Sequence, residues 1–250
     1  MEDIAGALVG VDYLIHSFSA TTPASADLDP YTDISANLIN SARIFEEAVK
    51  ANIKKIVFIS SGGVIYGPLS EHKKAKETDP ALPVSPYGIS KLAIERYLGY
   101  FERKYGMNHI TYRLSNPYGP RQVTKNNQGV VPAFIGHILS GEEITVVGDG
   151  SSSRDYIYIE DAAEMIVDSF SKNNLQDIYN LGSGSQTTVR GVLSEIEGIS
   201  SLKAHVTHIE APETFLTKAQ LDVSRLFDEF GLRSETAFDE GMRKTLAEYL

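Results

Sequence analysis

The sequence predicts an α/β fold: a doubly wound parallel sheet followed by a smaller α/β lobe. Three observations lead there. Through the first half, short apolar strands alternate with long amphipathic helices, the rhythm of parallel crossover units. One run, Ile56-Val57-Phe58-Ile59, is unbroken in its apolar character, as in a strand covered on both faces. After Asn116-Pro117-Tyr118-Gly119-Pro120 the texture changes to polar loop and shorter elements. The expected division is therefore residues 1–120, a sheet domain, and 121–250, mainly a smaller lobe from which the chain returns to the core sheet.

Val11 to His16 reads as the first strand. Asp29-Pro30 then opens a long helix to about Asn52, because proline suits a first helical turn and Leu38, Ile39, Ala42, Phe45 and Val49 form one apolar stripe. Ile56 to Ile59 is the second strand. Residues 66–82, rich in Lys, Glu, Asp and Pro, read as a loop. Pro86 starts a second long helix to about Tyr105, with Leu92, Ile94, Tyr97, Leu98 and Phe101 as its stripe, and Ile110 to Leu114 is the next strand. In the second half, helices are expected near 131–139, 160–171, 188–197, 224–230 and 239–249. Short strands are expected at 144–147 and near Tyr156, around a Gly148-Asp149-Gly150 turn.

Composition narrows the function. With 250 residues and 42% hydrophobic content, the chain can bury one sizeable core or a core with a small lobe. A balance of 23 basic against 33 acidic residues gives a net charge of −10, which leaves no basic face for nucleic acid. There is no cysteine, so disulfides, a Cys-ligated metal and a thiol nucleophile are excluded, and a reducing compartment fits. No apolar run reaches the length of a membrane span and the first residues lack a signal-peptide pattern. The expectation is a soluble cytoplasmic protein with no membrane partner.

The chemistry-bearing motif is Ser85-Pro86-Tyr87-Gly88-Ile89-Ser90-Lys91. Tyr87 and Lys91 lie four apart and share a helix face. An ammonium beside a phenol favours the phenolate and lowers its pKa from about 10, which makes the tyrosine a proton acceptor. In a chain with 13 Tyr the pair alone is weak. Its order gives it weight: apolar strand, Ser60-Ser61-Gly62-Gly63 turn running to Tyr66-Gly67, Pro-Tyr helix start, Lys one turn later.

Further markers follow in order: Leu14-Ile15-His16, Asn37, Arg113-Leu114-Ser115-Asn116-Pro117-Tyr118-Gly119, Gly148-Asp149-Gly150, Arg154-Asp155-Tyr156 and Tyr179-Asn180-Leu181-Gly182. Along essentially the whole chain, this set resembles the NAD-dependent sugar epimerase/dehydratase family of the extended short-chain dehydrogenase/reductase superfamily, and within it the UDP-glucose 4-epimerase type. The resemblance implies a Rossmann-type domain, NAD as cofactor, a nucleotide-sugar substrate (a UDP-sugar) and a homodimer built from the two long helices.

One part of the family pattern is missing. Members open with a strand, a Gly-x-x-Gly-x-x-Gly loop and a helix whose N-terminus holds the dinucleotide pyrophosphate. Here Gly6 and Gly10 are too few and too far apart, and Met1-Glu2-Asp3-Ile4 reads like the middle of the fold. The N-terminal strands of the sheet are thus expected to be absent, leaving the Val11 to His16 strand with a bare apolar edge. Two readings stand open. Either the chain is a fragment or starts too far downstream, or it is a shortened protein that does not hold NAD in the usual way.

The resemblance also assigns roles. Tyr87 is the acid/base at a sugar hydroxyl, and Lys91 tunes it and holds the nicotinamide ribose. The family's catalytic Ser or Thr falls on Gly62, so Ser61 substitutes or the step proceeds without that contact; otherwise Ser61 is a strand-end serine capping a turn. Ser60 is expected to face the cofactor, as are Pro117 and Asn37, an asparagine inside a helix being otherwise unfavourable. Asn116 and Arg154 match contacts to the substrate's sugar and phosphates, with a turn asparagine and a surface Arg154–Asp155 pair as the plain alternatives. Val130 and Val147 fit apolar walls or simple core. A second phosphate-binding arginine is absent from 208–214, where His208, Glu210 and Glu213 stand. No metal is expected at this site.

The accessory groups choose the reaction. A 4,6-dehydratase of the family needs an acidic pair where Gly63 and Val64 stand, a decarboxylase carries a Glu in that turn, and the fucose-type epimerase-reductase uses a Cys. What remains is 4-epimerisation: oxidation at sugar carbon 4, rotation of the keto-sugar and return of the hydride. The alternatives are a nucleotide-sugar reductase or dehydrogenase, and a non-catalytic, epimerase-derived binding protein.

Overall fold

The computed structural model describes residues 4–70, 73–122, 129–211 and 217–249. Its first elements are α1 (Ile4–Ala7), β1 (Tyr13–His16), α2 (Pro23–Leu28), α3 (Pro30–Asp33), a π-helical segment (Ile34–Ile39), α4 (Asn40–Lys50), β2 (Lys55–Ser61), α5 (Pro86–Tyr105) and β3 (His109–Leu114). There follow β4 (Asn116–Tyr118), α6 (Val130–Ser140), β5 (Glu143–Val147), β6 (Ser153–Arg154), β7 (Tyr156–Tyr158) and α7 (Ile159–Phe170). The remainder is β8 (Ile178–Leu181), β9 (Thr187–Thr188), α8 (Val189–Ser200), β10 (His205–Ile209), β11 (Lys218–Ala219), α9 (Ser224–Phe230) and α10 (Phe238–Leu246).

The chain forms two compact units. One comprises Met1–Gly67, Glu77–Leu114 and Phe170–Asn180; the other comprises Pro68–Lys76, Ser115–Ser169 and Leu181–Leu250. The chain leaves the first unit after Leu114, and Phe170–Asn180 rejoins it. That return has a physical anchor. The Lys55 ammonium donates to Phe170 O, Lys172 O and Asn174 Oδ1 at 3.0, 2.7 and 3.0 Å, fixing the stretch that leads into β8.

In the first unit the sheet order is β1-β2-β3-β8, and β1 pairs with β2 and β2 with β3 in parallel. β2 is buried over most of its length, as its unbroken apolar run requires. Phe45 and Ala48 of α4, Ile56 and Phe58 of β2, and Ile94, Leu98 and Phe101 of α5 form one core cluster. β1 is an edge strand among the described residues, with Tyr13 39% and Ile15 47% exposed.

Both long helices start where the sequence places them. The Asp29 carboxylate accepts from Thr32 N at 3.1 Å, and Ser85 Oγ accepts from Gly88 N at 3.2 Å, each ahead of a proline. The buried stripe of the first helix is corrected. It runs through Asn37, Ser41, Phe45 and Ala48, while Ile39 is 45% exposed. The π-helical turn at Ile34–Ile39 shifts the helical phase, and such turns are frequent at functional sites. On α5, Tyr97 is 44% exposed and the inward positions include the polar Ser90, Lys91 and Glu95.

In the second unit, β4 pairs with β7, β5 with β10, and β6 lies between β11 and β9. Its core joins Ile135 and Ile138 of α6, Ile144 and Val146 of β5, Val192 and Ile196 of α8, and Met242 and Leu246 of α10. β8 and β10 escape a reading by periodicity: Ile-Tyr-Asn-Leu has a polar residue in its middle, and every residue of His205–Ile209 is exposed.

Candidate active site

The candidate site grows from three elements of the first unit: the end of β2, the start of α5 and the helix that contains the π-turn. Tyr87 and Lys91 are neighbours on α5. The Lys91 ammonium lies 5.7 Å from the Tyr87 ring centroid and 5.0 Å from that of Phe58, and it donates to Ile59 O at 3.0 Å. Burial pushes the Lys91 pKa down from 10.5 to about 8, with Asp33 and Glu95 pulling the other way.

The expected lowering of the Tyr87 pKa is corrected. Burial of the phenol raises it, Asp33 adds to the rise, and a hydrogen bond with Ser19 opposes it. Desolvation outweighs the pull of a cation above the ring, because a buried phenolate loses its hydration outright. The Ser19 hydroxyl itself donates to Thr21 O at 2.9 Å.

Asn37 organises that loop. Its Oδ1 accepts from Ala20 N at 2.8 Å, and its Nδ2 donates to Thr21 Oγ1 at 2.6 Å and Asp33 Oδ1 at 2.8 Å. Asp33 also accepts from the Thr21 and Ser90 hydroxyls. Both amide hydrogens of Asn37 are therefore engaged within the protein. Asn37 gave a signal in the sequence as a polar residue inside a helix; Asp33, which binds it at i, i+4, was missed.

The Ser60 hydroxyl donates to Glu95 Oε1 at 2.7 Å, which ties the end of β2 to α5. Glu95 in turn holds Arg113, with Nε to Oε1 at 3.1 Å and Nη2 to Oε2 at 2.7 Å, and the guanidinium stacks 4.8 Å from the Tyr66 ring centroid. Tyr66 donates to Asn180 Oδ1 at 2.6 Å. Tyr87, Lys91 and Glu95 follow one another at i, i+4 spacing, a row of polar groups on a buried face that could have been read. Ser61 ends β2, half-buried. By strand alternation it points to the face opposite Ser60, and among the described residues it has no hydrogen bond to Tyr87 or Lys91. Gly62 is tied through its own N–H to Leu114 O at 2.7 Å.

The remaining candidates belong to the second unit. Asn116 donates through Nδ2 to Asp155 O at 3.0 Å. Arg154 donates to Ser153 O at 2.9 Å, and burial lowers its pKa. Asp155 is no surface group. Its carboxylate is buried and accepts from Ser183 N, Ser183 Oγ and Gly184 N at 2.8, 2.9 and 3.0 Å. Gly182 permits this: a Cβ there would lie 2.7 Å from Asp155 Oδ2. Pro117 lines a cleft of about 230 Å³ with Gly119, Arg121 and Ile159. Val130 starts α6 and packs against the core of its unit, and Val147 ends β5 partly buried. Of the 208–214 stretch, His208 is exposed, its ring Nδ1 2.7 Å from Gly148 O; Glu213 lies outside the described residues.

A parallel sheet whose strands are joined through long helices defines a Rossmann-type α/β protein. The NAD dependent epimerase/dehydratase family matches residues 2–182, and the chain belongs to that family. It is similar to the dTDP-4-dehydro-6-deoxyglucose reductase of Escherichia coli, 31% identical over 233 residues that cover 93% of this chain and 73% of the relative. It is also similar to the UDP-glucose 4-epimerase of Mycolicibacterium smegmatis, 30% identical over 218 residues, 87% of this chain and 69% of the relative. The solved UDP-glucose 4-epimerase of Thermus thermophilus in complex with NAD superposes with a TM-score of 0.92 at 31% identity, over 98% of this chain and 80% of that one.

Proposed function

We propose that the chain acts as an NAD-dependent nucleotide-sugar 4-epimerase, with a UDP-sugar as substrate. The observation that carries this reading is the Tyr87–Lys91 pair on α5, with Lys91 buried and Tyr87 half-buried. The pair fits the nicotinamide-ribose end of NAD: the buried Lys91 ammonium has one hydrogen-bond partner, Ile59 O, among the described residues, which leaves two N–H donors for ribose hydroxyls. When bound, NAD supplies the hydride acceptor and donor at the sugar carbon, and its oxidised ring carries a positive charge that favours a phenolate.

Tyr87 takes the proton from the sugar 4-hydroxyl and gives it back when the carbon is reduced from the other side. Lys91 biases the phenol towards its anion by charge alone. Ser19 orients the phenolic oxygen, and Asn37 with Asp33 holds the loop that carries Ser19. Ser61 is not required. In the second unit, Arg154 would take an anionic diphosphate, whose charge offsets the desolvation of the guanidinium. Asn116 would contact the sugar, Pro117 the cofactor, and Val130 the base.

Two copies associate through the long helices in this reading. Ile39 on the first helix and Tyr97 and Tyr100 on α5 are 45, 44 and 42% exposed, large side chains suited to an isologous contact.

A second reading, a nucleotide-sugar reductase, draws support from the similarity to the Escherichia coli reductase. Incubating the full chain with NAD and a UDP-hexose separates the two. Interconversion of the 4-epimers without net NADH turnover supports the epimerase. Stoichiometric oxidation of NADH or NADPH with a keto-sugar supports the reductase.

A further inference from the structure

A second cluster of ligating groups lies in the first unit, away from Tyr87. Glu102, near the end of α5, His109, the first residue of β3, and Asp177, the residue before β8, each offer a ligand atom, and these atoms lie within 4.8 Å of one another. Along α5, Glu102 lies three turns beyond Lys91, roughly 16 Å at about 1.5 Å per residue. The cluster sits at the N-terminal end of β3, whereas Arg113 sits at its C-terminal end.

His109 is the informative member. It is only 4% exposed, and neither ring nitrogen has a hydrogen-bond partner among the described residues. Its Nε2 lies 3.7 Å from Glu102 Oε2, too far for a hydrogen bond. A buried imidazole without partners has lost its hydration and gained nothing in return, so the native state holds it there against a penalty that a ligand would remove.

We propose that Glu102, His109 and Asp177 form a binding site for a divalent transition-metal ion, zinc being the best match to one imidazole and two carboxylates. Four-coordinate zinc has ligand atoms roughly 3.4 Å apart, from bonds of about 2.0–2.1 Å. The 3.7 Å His109–Glu102 separation is therefore close to a closed site, and the exposed Asp177 side chain can swing to complete it with water in the fourth position. Asp177 is well placed by its backbone, whose O accepts from Thr111 N at 2.7 Å. The His109 Nδ1 proton has no outer acceptor among the described residues, which predicts a micromolar rather than a tighter site. Bound metal would fasten the end of α5 to β3 and to the approach of β8, a stabilising rather than catalytic role.

The test uses the full chain and needs no enzyme activity. Zinc at ~100 µM should raise the melting temperature by several degrees, and cobalt(II) should bind with one-to-one stoichiometry and a visible d–d absorption of a nitrogen-oxygen site. Glu102 and Asp177 are partly or fully exposed, so Glu102→Gln and Asp177→Asn leave the fold intact; each should weaken cobalt binding roughly tenfold or more. His109→Phe should abolish it. Absence of a melting shift and of cobalt absorption in the wild-type chain would overturn the proposal. Cobalt binding unchanged in the Glu102→Gln, Asp177→Asn double variant would overturn it equally, placing the ion on other histidines such as His205 or His208.

Discussion

Among individual residues, burial governs the site more than charge does. Lys91 and Tyr87 both lose hydration, and packing holds both where their charged forms are disfavoured. The sign for Lys91 follows from its shift. Its folded pKa is about 8 and its unfolded value about 10.5, so between these limits the unfolded chain binds more protons. Stability contributed by this group therefore rises as pH climbs from about 8 to about 10.5, and the charged lysine is a net burden below 8. Lys91→Met should raise stability at pH 7 by roughly 1–3 kcal/mol, with the gain shrinking as pH rises through that window. The same variant should lose activity, as expected where a functional site is itself a source of instability. Thermal melts of both proteins at pH 7 and pH 10 check this, and a lower melting point for the variant at pH 7 would contradict it. The Tyr-Lys spacing was legible in the sequence. The Ser19 contact was not, because it joins a loop to a helix far along the chain. The direction of the Tyr87 shift was not legible either, since it depends on how much water the fold removes.

Among the elements, α5 acts as the beam on which the chemistry is mounted. Its first turn holds Tyr87, its second Lys91 and its third Glu95, which locks it to β3 through Arg113 and to β2 through Ser60. Removing one partner of a buried ion pair leaves an uncompensated charge. Glu95→Ala should thus destabilise the protein by about 3–5 kcal/mol, read as a lower urea midpoint at unchanged slope. The double change Glu95→Leu, Arg113→Met should recover much of that loss, since an apolar pair of similar volume can replace a buried salt bridge. A Glu95→Ala midpoint equal to wild type would show that α5 is held by its apolar face alone. The boundaries of this helix, Pro86 to Tyr105, were readable because Pro86 marks its start and its apolar stripe carries on to Phe101; Gly106, in the left-handed conformation, closes it. The first helix was legible in extent but not in facing, because a π-turn leaves no mark in apolar spacing. β8 was hidden because the polar Asn180 interrupts its short apolar run.

For the molecule as a whole, family membership and parallel-sheet class were carried by the order of motifs. The division into units was less legible, because contacts rather than sequence continuity assign Phe170–Asn180 to the first unit. Association also belongs to this level. If the outward faces of the long helices meet in a dimer, Tyr97→Glu with Tyr100→Glu should yield a monomer in light scattering coupled to size exclusion, while the circular dichroism stays unchanged; a wild-type monomer would rule that dimer out. The decisive measurement for the epimerase reading is the interconversion of UDP-glucose and UDP-galactose by the chain with added NAD, followed by NMR for wild type and Tyr87→Phe. Conversion is expected in the wild type, with a rate at least ~10²-fold lower in the variant, the usual weight of a general acid–base group. Equal rates in the two proteins would contradict the role of Tyr87 and the mechanism built on it.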